Sequence, residues 1–168
     1  MFDFTNSIKA GIAAAEVAKE NVREISEVFA ELAKQVEKFS GGSLTVKLEK
    51  TPDVWGARHG LLGIGSIGAA VASASLGLDK AMGNSVKYVT NLMLVNTQPP
   101  NQKAPLATVD TSKLGYPVKF TYADQVSNAS DKVSLEMILA GILEHPDSGK
   151  ILTRMMQPVE TEGESDES

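Results

Sequence analysis

Apolar and small residues recur at alternating gaps of four and three along the first 40 residues of this chain. We call these positions the heptad seam; they are Phe4, Ile8, Gly11, Ala15, Ala18, Val22, Ile25, Phe29, Leu32, Val36 and Phe39. Such spacing is the a/d pattern of a helix that packs along one side, and it predicts one helix over residues 4–39. That helix is about 54 Å long at 1.5 Å per residue, whereas a compact chain of 168 residues has a radius of gyration of only about 15 Å. The helix must therefore project, pack along the whole body, or pair with another copy.

The heptad seam changes character along its length. Its first half is small, at Gly11, Ala15 and Ala18, and permits close approach of another backbone. Its second half, residues 22–39, is large and apolar, and each fully buried side chain there contributes about 1.5–3 kcal/mol. We therefore predict that the helix is an assembly element. The second half supplies apolar burial, residues 8–18 set the close helix approach, and the charged faces fix the register.

The remaining sequence predicts an α+β fold. Alternating residues indicate four strands, in a mainly antiparallel sheet, and capping residues indicate two C-terminal helices. The strands are expected at 44–49, 86–95, 107–111 and 118–122, with loops at 101–105 and 114–117; one helix is capped by Ser130 or Asp131 and a short one follows His145-Pro146. We divide the chain into the helix (1–40), an α+β body (41–158) and a disordered acidic tail (159–168).

Charge and composition exclude several classes of function. The chain contains no cysteine, which excludes disulfides and thiolate metal sites and favours a cytoplasmic location. The start, Met1-Phe-Asp-Phe, carries an acid where a signal peptide has positive charge. The net charge of −5 equals that of the five acids in the tail, so the rest of the chain is formally neutral. That balance does not fit a protein that binds duplex nucleic acid.

Residues 60–78 contain no charged side chain, and twelve of the nineteen are Gly, Ala or Ser. We interpret this segment as a buried helix whose small residues, Gly65, Ala69 and Ser73, pack against the small half of the heptad seam, within one chain or between two chains. One alternative is a membrane-active segment, since its length approaches a bilayer span. Another is a nucleotide or small-ligand loop at residues 63–68, which has the G-x-G-x-x-G spacing. That motif has no preceding strand and no acid about 20 residues later.

Few other residues suggest chemistry. The two histidines, His59 and His145, show no spacing typical of a catalytic dyad or a metal site, and Gly149-Lys150 lacks the rest of a P-loop. We expect His145 to lie at a helix end, where it interacts with the helix dipole. Trp55 and Arg58 lie in a glycine-flanked stretch and are residue types common in protein interfaces.

From these patterns we predict a non-enzymatic cytoplasmic protein that self-associates or binds a protein partner. We assign no catalytic, cofactor-binding or metal-binding residue, and we expect a homo-oligomer or protein complex rather than a nucleic-acid complex. A membrane-active protein and a nucleotide or small-ligand binder are the alternatives. The predicted interface comprises Ile8, Gly11, Ala15, Ala18, Val22, Ile25, Phe29, Leu32, Val36, Trp55 and Arg58.

Overall fold

A computed structural model describes residues 3–52 and 88–157. The segment 60–78, the residues Trp55, Arg58 and His59, and the acidic tail lie outside the described residues. The fold is α+β, as the sequence predicts. Its elements in chain order are α1 (Thr5–Phe39), β1 (Leu44–Pro52), β2 (Tyr88–Asn96), β3 (Lys103–Ser112), β4 (Gly115–Tyr122), β5 (Gln125–Ala129), α2 (Lys132–Glu144) and α3 (Pro146–Met156).

The strands form one antiparallel sheet in the order β1-β2-β3-β4-β5. Each described strand therefore pairs with its neighbour in sequence. The register places Leu44 opposite Asn96 and Pro52 opposite Tyr88. A register shift between Leu92 and Met93 interrupts the pairing of β2 with β3.

The core lies between the sheet and a layer of helices. Side chains that point from the sheet to the helices are almost fully buried, among them Leu92, Val118 and Phe120. They meet the buried face of α1 and, from the C-terminal helices, Leu135, Leu139, Ile142 and Met155. Burial of this apolar surface is the main source of stability.

The predicted bounds of the long helix are confirmed to within one residue. At its start, the backbone N–H of Thr5 donates to the carboxylate of Asp3 at 2.9 Å. At its end, Gly41 and Gly42 adopt positive φ angles of 62° and 84°, which favour glycine. The N–H of Gly42 then bonds the carbonyl of Glu37 at 2.7 Å and satisfies the last turn.

The sheet differs from the predicted one mainly in four places. β1 continues to Pro52 and does not end at residue 49. β3 begins at Lys103, within the predicted loop 101–105, and β4 begins at Gly115, within the predicted loop 114–117. Pro105 is compatible with a strand because the pairing of β3 with β4 starts only at Thr108, so no partner strand needs the missing N–H at that side. The fifth strand, β5, was not predicted.

The C-terminal helices begin where the sequence predicts. Asp131 accepts a hydrogen bond from the Ser134 N–H at 2.8 Å, and the Ser134 hydroxyl bonds the Asp131 backbone, which completes a capping box. Pro146 then occupies the first turn of α3. His145 lies between the two helices, and its Nδ1 accepts from the Asp147 N–H at 3.3 Å.

Candidate functional site

The C-terminal half of α1, residues 21–39, packs against the chain's own sheet. Ile25, Val28 and Val36 are buried, and Phe29 and Leu32 pack partly buried against the same core. The Phe29 ring lies 6.4 Å from the Phe120 ring in the centre of β4. The structure therefore places four of the predicted interface residues (Ile25, Phe29, Leu32, Val36) in intramolecular contacts.

The first residues of β4 contact α1 at Asn21, between the exposed and the buried half of the helix. Gly115 packs so closely on the helix that a Cβ atom there would lie 2.5 Å from the Asn21 Cβ. The Asn21 side chain donates to the Leu114 carbonyl at 3.2 Å. The Tyr116 hydroxyl donates to the Glu24 carboxylate at 2.9 Å. Burial raises the pKa of Tyr116 above its ordinary value, and the hydrogen bond to Glu24 raises this pKa further.

The N-terminal half of α1, residues 5–20, is exposed along its length except at half-buried Ala18. Ile8 is 62% exposed and Ile12 is 58% exposed. Apart from the neighbouring residues and backbone of the helix itself, no atom of the described residues lies within 4 Å of a Cβ placed at Gly11. The segment is 16 residues long and therefore extends about 24 Å at 1.5 Å per residue. It presents an apolar face that the described part of the body does not cover.

In the two halves of α1, the additional apolar residues lie on opposite sides of the heptad seam. In the C-terminal half the extra contact comes from Val28, which is buried and follows the d-position Ile25 by three residues. In the N-terminal half the extra apolar residue is Ile12, which follows Ile8 by four. A straight α-helix drifts about 20° per heptad relative to a 3.5-residue repeat, so one seam presents its two ends in different directions. Over the two to three heptads that separate the two halves, the exposed apolar face is consequently rotated from the body-facing side by roughly 50°. We call this face, formed by Ile8, Gly11, Ile12, Ala15, Ala18 and Val22, the N-terminal apolar face.

The opposite side of α1 carries charged residues. Arg23 pairs with Glu20, and its guanidinium also lies 3.3 Å from the Glu27 carboxylate. The hydrogen bond from Arg23 holds the pKa of Glu20 below its ordinary value. Both Arg23 and Glu20 are exposed, so these pairs contribute little to stability. Val17 also lies outside the N-terminal apolar face, and it is 60% exposed.

A concave surface lies on the sheet. It has a volume of about 430 Å³ and is lined by Val89, Thr90, Asp110 and Lys119, with further threonines. Asp110 and Lys119 are register partners, so opposite charges lie side by side. Within residues 3–52 and 88–157 there is no group of three His, Asp or Glu side chains able to hold a metal ion. His145, the one histidine in the described ranges, is engaged in the connection between α2 and α3.

No helix in the described part of the chain is both long and apolar enough to cross a membrane. The predicted membrane-active segment 60–78 and the predicted ligand loop at Gly63, Gly65 and Gly68 lie outside that part. The same holds for the predicted contact between residues 60–78 and the small half of the heptad seam. These interpretations remain predictions.

Five of the predicted interface residues (Ile8, Gly11, Ala15, Ala18 and Val22) lie together on the N-terminal apolar face. Strict a/d spacing missed Ile12, which is about as exposed as Ile8. The signal that identifies it is the spacing of four residues from Ile8, because residues i and i+4 lie on the same side of a helix.

Comparison of the chain with protein-family models, with curated proteins and with solved structures gave no match.

Proposed function

We propose that the chain is a non-enzymatic protein that works by association, and that it contacts its partner through the N-terminal apolar face. The observation that carries this proposal is the exposure of Ile8 and Ile12 on a helix segment beyond the described body. Exposed apolar surface organised along one side of a helix is typical of a protein–protein contact site. The partner is a second copy or another protein, in the cytoplasm.

The small residues of the face support the same proposal. Gly11, Ala15 and Ala18 carry at most a methyl group, so a partner helix can approach close to the α1 backbone. The body supports the helix rigidly up to this segment, because Gly115 and Tyr116 contact α1 at Asn21 and Glu24. An interface on a pre-positioned helix loses less conformational entropy on binding than a disordered segment does.

A photo-cross-linking experiment tests the proposal. A photoreactive benzophenone amino acid is introduced at Ile12 and, as a matched control, at Val17, which is equally exposed on another side of the same helix. The proteins are irradiated in the cell that produces them. We expect an adduct of defined mass with the probe at position 12 and little or none with the probe at position 17.

The mass of the adduct identifies the kind of partner. Twice the mass of the chain indicates a second copy, and any other defined mass indicates a different protein. Equal, diffuse labelling at positions 12 and 17 would refute the proposal, because the apolar face would then be no more occupied than the rest of the helix.

A further inference from the structure

We propose that the occupant of the N-terminal apolar face is a second copy of this chain, paired antiparallel so that residue i lies opposite residue 26 − i. This inference rests on the proposed function and specifies its partner. In this register Ile8 faces the partner's Ala18, and Gly11 faces the partner's Ala15. The two-fold axis passes through the helix pair beside residue 13.

The length of the exposed segment fits this arrangement. The N-terminal half of α1 begins at Thr5 and ends where β4 packs on Asn21. Residues 5 and 21 sum to 26, so the end of each helix reaches the point at which the partner's body begins. The two bodies then lie at opposite ends of the helix pair, and each contacts its own helix on the flank of Val28 rather than that of Ile12.

The sizes of the facing side chains favour the antiparallel arrangement over the parallel one. In a parallel pair, like residues meet, so Ile8 faces Ile8 while the three layers at 11, 15 and 18 contain only glycine and alanine. The helices would have to separate at one end and close at the other. In the antiparallel pair each isoleucine faces an alanine, and Gly11 faces Ala15 on either side of the two-fold axis. Alternation of large and small side chains across an interface lets the layers interdigitate.

Charge does not oppose self-pairing. Between residues 5 and 20, the positions on the heptad seam (a and d) and directly beside it (e and g) carry one charged side chain, Lys19. The other charges, Lys9, Glu16 and Glu20, lie on outer positions and sum with Lys19 to zero. The contact extends only about 24 Å along one side of a single helix. A contact of this length buries less area than the roughly 1,600 Å² of a standard interface. We therefore expect a dimer that dissociates on dilution.

Disulfide trapping tests the register directly, because the natural chain contains no cysteine. Ile8→Cys and Ala18→Cys chains are oxidised separately and as an equimolar mixture, at concentrations at which light scattering shows the dimer. In the proposed pair, position 8 of one chain lies about 15 Å along the axis from position 8 of its partner, beyond the roughly 7 Å limit for bridging Cα atoms. The same separation applies to position 18. We expect covalent dimers in the mixture and not in either single sample.

A second pair and a control make the result independent of one substitution. Gly11→Cys mixed with Ala15→Cys also satisfies the register and is expected to cross-link. Ile8→Cys mixed with Val17→Cys does not satisfy it and is expected to stay monomeric after oxidation. Circular dichroism of each variant checks that the helix is retained.

The outcomes separate this inference from the proposed function. Cross-linking of Ile8→Cys alone or of Ala18→Cys alone would overturn the antiparallel register in which residue i faces residue 26 − i, while association through the face would stand. A chain that scatters as a monomer at every concentration and forms no disulfide would overturn self-pairing. In that case an adduct of another mass at position 12 would still support the proposed function, and absence of any adduct would remove both.

Discussion

The close contact between β4 and α1 predicts a large effect of a single methyl group at Gly115. Gly115 has φ = +92°, and a Cβ there would lie 2.5 Å from the Asn21 Cβ and 3.2 Å from the backbone of Asn21 and Val22. A left-handed conformation costs a residue with a Cβ about 1–2 kcal/mol. Overpacking against a helix backbone costs about 1–3 kcal/mol more. Gly115→Ala should therefore lower the free energy of unfolding by about 2–5 kcal/mol.

The assay is urea denaturation at one protein concentration, with Gly141→Ala as a matched control. Gly141 lies within α2, and a Cβ there meets only the Tyr122 hydroxyl among the described residues, at 3.8 Å. Replacing a helical glycine by alanine should stabilise the protein by about 0.5–1 kcal/mol. The two glycine-to-alanine changes are thus expected to have opposite signs.

A double-mutant cycle isolates the contact itself. Asn21→Gly removes the Cβ atom that the new methyl group would strike, so Gly115→Ala should cost less in the Asn21→Gly background than in the natural chain. Equal costs in both backgrounds would show that the Asn21 Cβ does not contribute, and that backbone strain and the 3.2 Å contacts with the helix backbone explain the effect. A Gly115→Ala variant within about 0.5 kcal/mol of the natural chain, the range of an ordinary surface substitution, would refute the packing of β4 on α1.

Three further predictions concern hydrogen-bonded groups. Asn91, which is buried and bonds Thr51 at 2.6 Å, should lose about 1–3 kcal/mol of stability on Asn91→Ala, whereas exposed Asn128→Ala should have little effect in the same denaturation assay. The pKa of Tyr116 is raised above 10.0, so the contribution of Tyr116 to the free energy of unfolding is complete below pH 10. It is lost as the pH rises further, by at most about 1.4 kcal/mol per pH unit. The stability difference between the natural chain and Tyr116→Phe should therefore shrink above pH 10, and a constant difference would contradict this. Hydrogen bonds from Ser134 lower the pKa of Asp131, so the contribution of Asp131 to stability is present above pH 3.8 and is lost as the pH falls. Asp131→Asn keeps a capping oxygen and should weaken this acid dependence in denaturation curves measured from neutral to acidic pH.

Local signals in the sequence were sufficient for the helices. The spacing of the heptad seam and the glycines after Phe39 set the limits of α1, because a helix needs one apolar side and a residue that tolerates positive φ at its end. The capping pattern at Asp131 and the Pro at 146 likewise set the starts of α2 and α3. Each of these signals acts within a few residues.

β5 and the start of β3 were missed because their stability comes from pairing with the preceding strand and not from an apolar alternation of their own. The five residues of β5 are mostly exposed and polar, and their turn, Ala123-Asp124, adopts positive φ without the usual Asn-Gly signal. β5 forms because β4 offers backbone partners along its length. Lys103 and Pro105 join β3 for the corresponding reason, since β2 supplies the pairing.

Helical periodicity is a local property, and it was enough to show that α1 has one apolar side and to identify most of the residues that form it. It did not determine which half of that side is buried. The strands span only eight to ten residues in β1 to β4, or about 26–34 Å, whereas α1 has 35 residues and extends about 52 Å. The sheet can therefore cover only part of the heptad seam. The close packing of Gly115 on Asn21, a contact between residues 94 positions apart, decides that residues 21–39 complete the core and that Ile8 and Ile12 stay exposed.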